Sequence, residues 1–211
     1  MSDAFAPKQQ RSRETLQRLL VATIRTLNEH GLASATIPRI ARAAGVAPAS
    51  IYRRFSDRDA LYRAAFTHVL EQSIVNKREW LGIEAFSDRS LEGVIVGILG
   101  FILRQYTDYP GLMRAFSRFV ETDSDESFKR RALELVSTNL RFAIDLIERQ
   151  FRGKINHRRP RRAITLALLT AVSAIETHAA KQASGWHAML PSLSDGELKR
   201  ELTRLVLAYL T

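Results

Sequence analysis

The chain has 211 residues, 45% hydrophobic and 26% charged, which is too apolar for a disordered or collagen-like chain and sufficient for a packed core. It contains no cysteine, which excludes disulfides, thiolate nucleophiles, zinc fingers and iron–sulfur clusters. Thirty-two Lys and Arg against 22 acidic residues leave a net charge of +10, a balance that fits a polyanionic partner such as nucleic acid or an anionic surface. Residues 1–65 hold 11 basic and 5 acidic side chains, so the first third carries more than half of the excess.

In chain order, Leu16, Leu19, Leu20, Thr23, Ile24 and Leu27 form one helical stripe. With Ser12 as a cap and Gly31 at the far end, the first helix is expected over 13–30. Thr36 caps a second, carrying Ile37, Ile40, Ala41 and Ala44, with Pro38 in its first turn; Gly45-Val46-Ala47 ends it. Pro48 opens a third helix over 48–54. Ser56 and Asp57 cap a fourth, which runs to about Trp80. A loop at 82–90 is a candidate boundary. Further helices are expected at 90–107, 110–121, 125–152, 160–184 and 194–210, separated by Tyr109-Pro110-Gly111, Asp123-Ser124, Gly153 and Pro191-Ser192. Period-two alternation is missing, so the fold class is all-α. Met1–Gln10 lacks the apolar run of a signal peptide, and no segment reaches the length of a membrane span. The expectation is an intracellular, cytoplasmic protein with no membrane partner.

Two short helices joined by a tight turn inside a basic three-helix unit describe a helix-turn-helix. Ala41 and Ala44 are small enough for close helix approach, and Gly45 supplies the left-handed backbone of the turn. Val46, Ile51 and Phe55 are expected to bury the inner face of the third helix against Ile40 and the first helix. Ala47, Pro48, Ala49, Ser50, Arg53 and Arg54 then face outward, with Tyr52 on or near that face. Arg39, Arg42 and Arg58 add charge nearby, and Lys8, Arg11 and Arg13 are candidates for an arm that reaches DNA.

The strings Ile40-Ala-Arg-Ala-Ala-Gly-Val46, Ser50-Ile-Tyr-Arg-Arg-Phe55 and Asp59-Ala-Leu-Tyr62 resemble the N-terminal domain of the tetracycline-repressor (TetR) family. The likeness covers about residues 13–66. It implies a helix-turn-helix domain at 1–56. A C-terminal effector-binding and dimerisation domain would follow at 57–211, entered through a linking helix at about 57–80. It also implies a homodimer that binds double-stranded DNA and a small-molecule effector. By the same resemblance Pro48–Phe55 enters the major groove, and Tyr52 and Thr36 touch the DNA backbone. Arg58 stands where the family usually has a lysine that holds a phosphate at a helix start. This sequence departs from the pattern in three places. Ala47 replaces a capping Ser or Thr, Arg39 replaces an acidic residue and so removes a capping box, and Arg53-Arg54-Phe55 has arginine where histidine is frequent.

In the C-terminal part, Arg104, Tyr106, Met113, Phe116, Phe142, Glu176 and His178 are polar or aromatic groups on otherwise apolar faces, and they are the candidate effector residues. Phe101, Phe116, Phe119, Phe128, Phe142 and Phe151 point to an apolar pocket and a hydrophobic or aromatic ligand. The segment 163–180 is apolar nearly all round, which fits burial on two sides. In the family the last two helices form the dimer interface, here carried by Leu168, Val172, Ile175, Leu202, Leu205 and Tyr209. The run Arg158-Arg159-Pro160-Arg161-Arg162 puts cations at the unfavourable end of a helix dipole, which calls for an acidic partner or an anion. No G-x-S-x-G, P-loop, H-E-x-x-H or dinucleotide loop is present, and histidines 30, 68, 157, 178 and 187 form no i,i+4 pair. No cofactor, metal or catalytic residue is expected. The expected function is a ligand-responsive DNA-binding regulator, a repressor released by its effector. The alternatives are a non-specific architectural DNA-binding protein and a helical enzyme.

Overall fold

The computed structural model describes residues 5–80, 90–179 and 193–211. Among them there is no strand, and the chain is all-α. The helices are α1 (Phe5–Ser34), α2 (Ile37–Ala44), α3 (Pro48–Tyr52), α4 (Arg58–Trp80), α5 (Leu91–Asp108), α6 (Pro110–Thr122), α7 (Glu126–Phe151), α8 (Pro160–Ala179) and α9 (Asp195–Leu210), with a 3-10 turn at Arg152–Lys154. The loop expected at 82–90 lies outside the described residues except for Ser90. The breaker at Pro191-Ser192, the C-terminal end of the helix expected at 160–184 and His187 also lie outside them. None of the helices among the described residues is long and apolar enough to cross a membrane.

Three local expectations are corrected. The first helix begins at Phe5, so Ser12 is inside it and caps nothing. Pro7 falls in the first turn, where amides have no intrahelical acceptor, and Gln10 donates to Glu14 one turn on at 3.1 Å. Thr36 holds the N-cap backbone geometry of α2 but makes no side-chain cap bond. Pro38 at N2 has removed one of the two amides that such a hydroxyl serves. The third helix is five residues long and ends at Tyr52. Its start has no capping side chain, and at its end Arg54 N–H donates to Ile51 O at 2.9 Å, an i,i+3 bond that tightens the chain out of the α-helix.

Gly31, expected to end the first helix, interrupts it at φ 69°, ψ 175°, and a short helical stretch runs on to Ser34. Other signals are met as read. Gly45 is left-handed (φ 66°, ψ 39°); its N–H donates to Arg42 O at 3.2 Å and Val46 N–H to Ala41 O at 3.0 Å, the two bonds of a Schellman motif. Asp57 Oδ1 accepts from Ala60 N–H at 2.7 Å and caps α4, and that bond, with Ser56 Oγ donating to the same carboxylate, holds Asp57 below the usual carboxylate range. Ser194 and Glu197 form a reciprocal capping box at α9.

The chain packs as two compact units that interleave in sequence. The first joins residues through Gln72 with Gly111–Ala132; the second joins Ser73–Pro110 with Leu133–Thr211. Residues 57–72, grouped by sequence with the C-terminal part, therefore pack with the N-terminal helices, because Leu61, Tyr62 and Phe66 of α4 are buried in that core. It holds Leu19 and Leu27 of α1, Ile40, Ile51, and Leu112, Phe119 and Phe128 of α6–α7. Phe119 is its aromatic centre, 5.8 Å from the Tyr62 ring, 5.4 Å from Phe66 and 5.7 Å from Phe128. The start of α6 is capped from α1: Asn28 Oδ1 accepts from Gly111 N–H at 3.0 Å and Leu112 N–H at 3.1 Å. A Cβ at Gly111 would run into the Asn28 carbonyl, so this approach requires glycine. In the second unit α9 packs on α5 and α8, and α5 on α8, around Ile95, Leu99, Ile147, Ile164, Leu202 and Val206.

Candidate nucleic-acid interface

α3 is too short to hold itself. A five-residue helix makes few internal bonds, so its orientation comes from burial. Ile51 is fully buried beside Ile40, and Val46 and Phe55 pack partly buried on the same cluster. That anchoring leaves the opposite side in solvent. Ala47, Pro48, Ala49, Arg53 and Arg54 are exposed, and Tyr52 is 57% exposed. An exposed aromatic with a hydroxyl, flanked by two guanidinium groups, has apolar contact area and phosphate donors on one face.

The arginines are pre-positioned. Arg53 Nη2 donates to Ser50 Oγ at 3.0 Å, and Arg54 Nη1 donates to Ser12 Oγ on α1 at 3.1 Å. Ser50, expected outward, is half-buried by that role. A concave surface of about 460 Å³ lies between α1 and α3, lined by Thr15, Arg18, Val46, Ser50, Arg53 and Arg54. Sequence reasoning did not single out Arg18 or Thr15, and gave Ser12 only the role of a helix cap. Ser12 and Thr15 are half-buried beside the Leu19 face of α1, and Arg18 is exposed. Arg39, Arg42 and Thr36 are exposed on α2. Arg58 Nε donates to Asp59 Oδ1 at 3.2 Å, and the guanidinium lies over the Tyr62 ring at 5.4 Å, so this cation is already engaged. Arg11 and Arg13 are exposed on α1 and belong to the helix rather than to a separate arm; the Lys8 side chain lies outside the described residues.

Behind this face, Tyr62 O–H donates to the Ala35 carbonyl in the turn before α2, and burial pushes its phenol up to about 12. One residue further along α4, Arg63 grips Asp123 at the end of α6 with Nε at 2.7 Å and Nη2 at 2.6 Å. Asp125 Oδ2 lies 3.6 Å from the same Nε. The Arg63 bond holds Asp123 below its usual range and raises the guanidinium in turn. No local pattern in the sequence marks this clamp, since its partners are sixty residues apart.

Residues 19–65, which contain α2, α3 and the helices that support them, match the family of bacterial regulatory proteins named for tetR. This part of the chain belongs to the TetR family. It is 34% identical over 85 residues to the HTH-type transcriptional regulator BetI of Serratia proteamaculans, a match spanning 38% of this chain and 42% of that relative. The chain thus matches less than half of the curated relative's length. Among solved structures, FadR of Bacillus halodurans, a fatty acid degradation regulator, superposes with a TM-score of 0.68 at 17% identity, covering 92% of this chain and 99% of that one. FadR of Bacillus subtilis, solved with stearoyl-CoA, gives 0.67 at 14% with the same coverage. A TetR regulator of Haloarcula marismortui gives 0.64 at 21%, covering 94% and 97%. At these identities the likeness is one of fold. Residues 19–65 thus form an N-terminal helix-turn-helix of the TetR kind.

The remaining expected residues are distributed as follows. Met113 and Phe116 pack partly buried on the core of the first unit, and Phe119 and Phe128 are inside it. These rings belong to a core, and Phe119 also borders a pocket of about 160 Å³ with Leu32, Tyr62 and Asp123. In the second unit Phe151 is likewise buried, while Tyr106 and Phe142 pack on the core from its margin. Tyr106 O–H donates to Glu176 Oε1 at 2.5 Å, joining α5 to α8; burial, first, and this bond raise the phenol well above its usual value. His178 Nε2 lies 2.7 Å from Asp195 Oδ1 at the start of α9, and Arg104 is exposed. The structure thus brings together Tyr106 with Glu176, and His178 with Asp195. A groove of about 320 Å³ between α5 and α9 is lined by Glu92, Val96, Lys199, Arg200, Thr203, Arg204 and Leu207, and includes none of the expected effector residues.

Of the expected interface residues, Leu168, Ile175 and Leu202 are buried in the second unit's own core and have no surface left for a partner. Val172 is half-buried. Leu205 is 64% exposed and Tyr209 42%, and on α8 the exposed leucines are Leu166 and Leu169, beside rather than at the expected positions. Among the described residues no group of three histidine or acidic side chains could hold a metal ion.

Proposed function

We propose that this chain is a homodimeric, ligand-responsive repressor that binds a palindromic operator through α3 and releases it when a small effector binds the C-terminal unit. The observation that carries this is the division of α3: Ile51 wholly buried, and Tyr52, Arg53 and Arg54 on the open side. In this reading Arg53 or Ser50 reads base edges and Tyr52 holds the backbone. Thr36, Arg39, Arg42, Arg54 and Arg58 supply phosphate contacts, with Ala47, Pro48 and Ala49 allowing close approach to the groove. Two copies would place their α3 helices about 34–36 Å apart to reach successive major grooves. The exposed leucines of α8 and α9 support a self-complementary interface, with Val172, Leu205 and Tyr209 on or beside it. Such a regulator works in the cytoplasm, beside the chromosome, and needs no cofactor or catalytic group.

The effector is proposed to have an apolar or aromatic body. Tyr106, Glu176, Phe142, His178 and Arg104 are its candidate contacts in the second unit. A neighbour of the same fold holds stearoyl-CoA, which makes fatty acyl compounds the first to test. The effector would favour a dimer whose α3 spacing no longer fits the operator. By linkage, operator DNA must weaken the effector's affinity by the same factor.

Selection of bound sequences from random duplexes tests the reading. It should return one palindrome, bound about 10³-fold or more above random DNA. Tyr52→Ala should weaken binding to operator and random DNA alike, while Arg53→Ala should lose about 1–3 kcal/mol of preference at one base pair. Enrichment of no sequence, with affinity that follows salt alone, would make the chain an architectural DNA-binding protein instead.

A further inference from the structure

A second concentration of charge lies in the other unit. Residues 66–211 hold 21 basic and 17 acidic side chains. Seven of those cations fall within residues 149–162, which contain no acid: Arg149, Arg152, Lys154, Arg158, Arg159, Arg161 and Arg162. Without them the remainder of 66–211 has 14 basic and 17 acidic residues. The positive excess of the C-terminal part is therefore this segment alone.

All seven are exposed. Arg161 is engaged, with Nη1 2.7 Å from Asp145 Oδ1 and 2.8 Å from Glu148 Oε2. The Lys154 ammonium stands 5.8 Å from the Phe151 ring centroid. Among the described residues the other five have no carboxylate within ion-pair distance. The segment is held in place nonetheless. Ile155 is buried, Asn156 N–H donates to Leu210 O at 2.8 Å, and His157 Nε2 lies 2.5 Å from Tyr209 O with its ring 4.6 Å from the Tyr209 ring. The cations thus project from a fixed loop. They do not serve the helix that follows, because Arg161 and Arg162 lie in the first turn of α8, where the dipole disfavours them.

We propose that the 149–162 surface binds the phosphodiester backbone of nucleic acid, as a second contact separate from α3. Two features choose this partner over a lipid surface. Six of the seven cations are arginines, whose planar forks match phosphate oxygens. The apolar residues of the segment, Phe151 and Ile155, are buried, so it has no apolar wedge to enter a bilayer. Contacts to phosphates alone make the binding sequence-independent; the surface would hold DNA while α3 searches, or take a neighbouring duplex.

The test uses the full chain with α3 silenced by Tyr52→Ala, Arg53→Ala and Arg54→Ala, and a random duplex of about 30 base pairs titrated by fluorescence anisotropy at about 50–200 mM salt. This protein should still bind. Adding Arg158→Ala, Arg159→Ala and Arg162→Ala, which spare the engaged Arg161, should make the slope of log K against log salt shallower by about 2–3, at about 0.9 for each phosphate no longer neutralised. Affinity near physiological salt should fall about tenfold or more. Lysine at the same three positions should keep most of the slope, which separates loss of charge from loss of fold. An α3-silenced chain that binds no duplex, or a slope and affinity unmoved by the three alanines, overturns the proposal and leaves the α3 reading intact. So does a lysine triple that behaves like the alanine triple. The same holds if the alanines abolish binding to phosphatidylglycerol vesicles and leave duplex binding unchanged.

Discussion

The clamp between Arg63 and Asp123 gives the sharpest quantitative expectation. Asp123→Asn keeps the shape of the side chain and removes its charge. The Asp123 side chain is 3% exposed and Arg63 23%, so the guanidinium would keep one neutral acceptor, face an amide N–H in place of the other, and lose its counter-charge with little water to replace it. Breaking one side of a fully buried pair costs about 3–5 kcal/mol. Partial exposure of Arg63 and the nearby Asp125 bring the expectation down to about 2–3 kcal/mol. For a chain of this size that lowers the Tm by about 5–10 °C. The Asp123 carboxyl has a folded-state value below the ordinary 3.8, so its contribution is present above that value and disappears as the pH falls through the lower folded one. Wild type and variant should therefore differ at neutral pH and converge as the solution is acidified below about pH 4. The assay is thermal melting by circular dichroism from about pH 7 to 3, with Arg63→Met and the double variant completing a cycle. A Tm change within about 1 °C, or a coupling below about 0.5 kcal/mol, would refute the reasoning.

Three other outcomes are expected. Gly111→Ala should destabilise by about 1–3 kcal/mol, because the new methyl meets the Asn28 carbonyl; an unchanged denaturant midpoint would show that α6 can shift at no cost. Tyr62→Phe should cost about 1–2 kcal/mol by leaving the Ala35 carbonyl without its donor, measured as a lower urea midpoint with an unchanged m-value. Leu205→Glu, at a residue 64% exposed, should leave the melting of a monomer unaffected and move a dimer toward monomers in analytical ultracentrifugation. A variant as dimeric as the parent would place the interface elsewhere.

Local information carried most of the helix-turn-helix. Gly45, Pro48 and the alternation of small, apolar and charged residues between Ile37 and Phe55 specify two helices, the turn and the outward face, because each depends on neighbours within a few residues. The all-α class was legible for the same reason, from helical period repeated along the chain. The tertiary structure decided what depends on contacts between distant positions. Helical period shows that Leu168, Ile175 and Leu202 are apolar but not whether a core or a second copy covers them, and their own core does. The same ambiguity placed Met113 and Phe116 in a pocket when they pack on α4's unit. The clamp of Arg63 on Asp123, the Asn28 cap on α6 and the Ser12 bond to Arg54 join residues 60, 83 and 42 positions apart. No local pattern encodes such pairings, since a polar side chain looks alike in sequence whether it meets water or a partner brought to it by the fold.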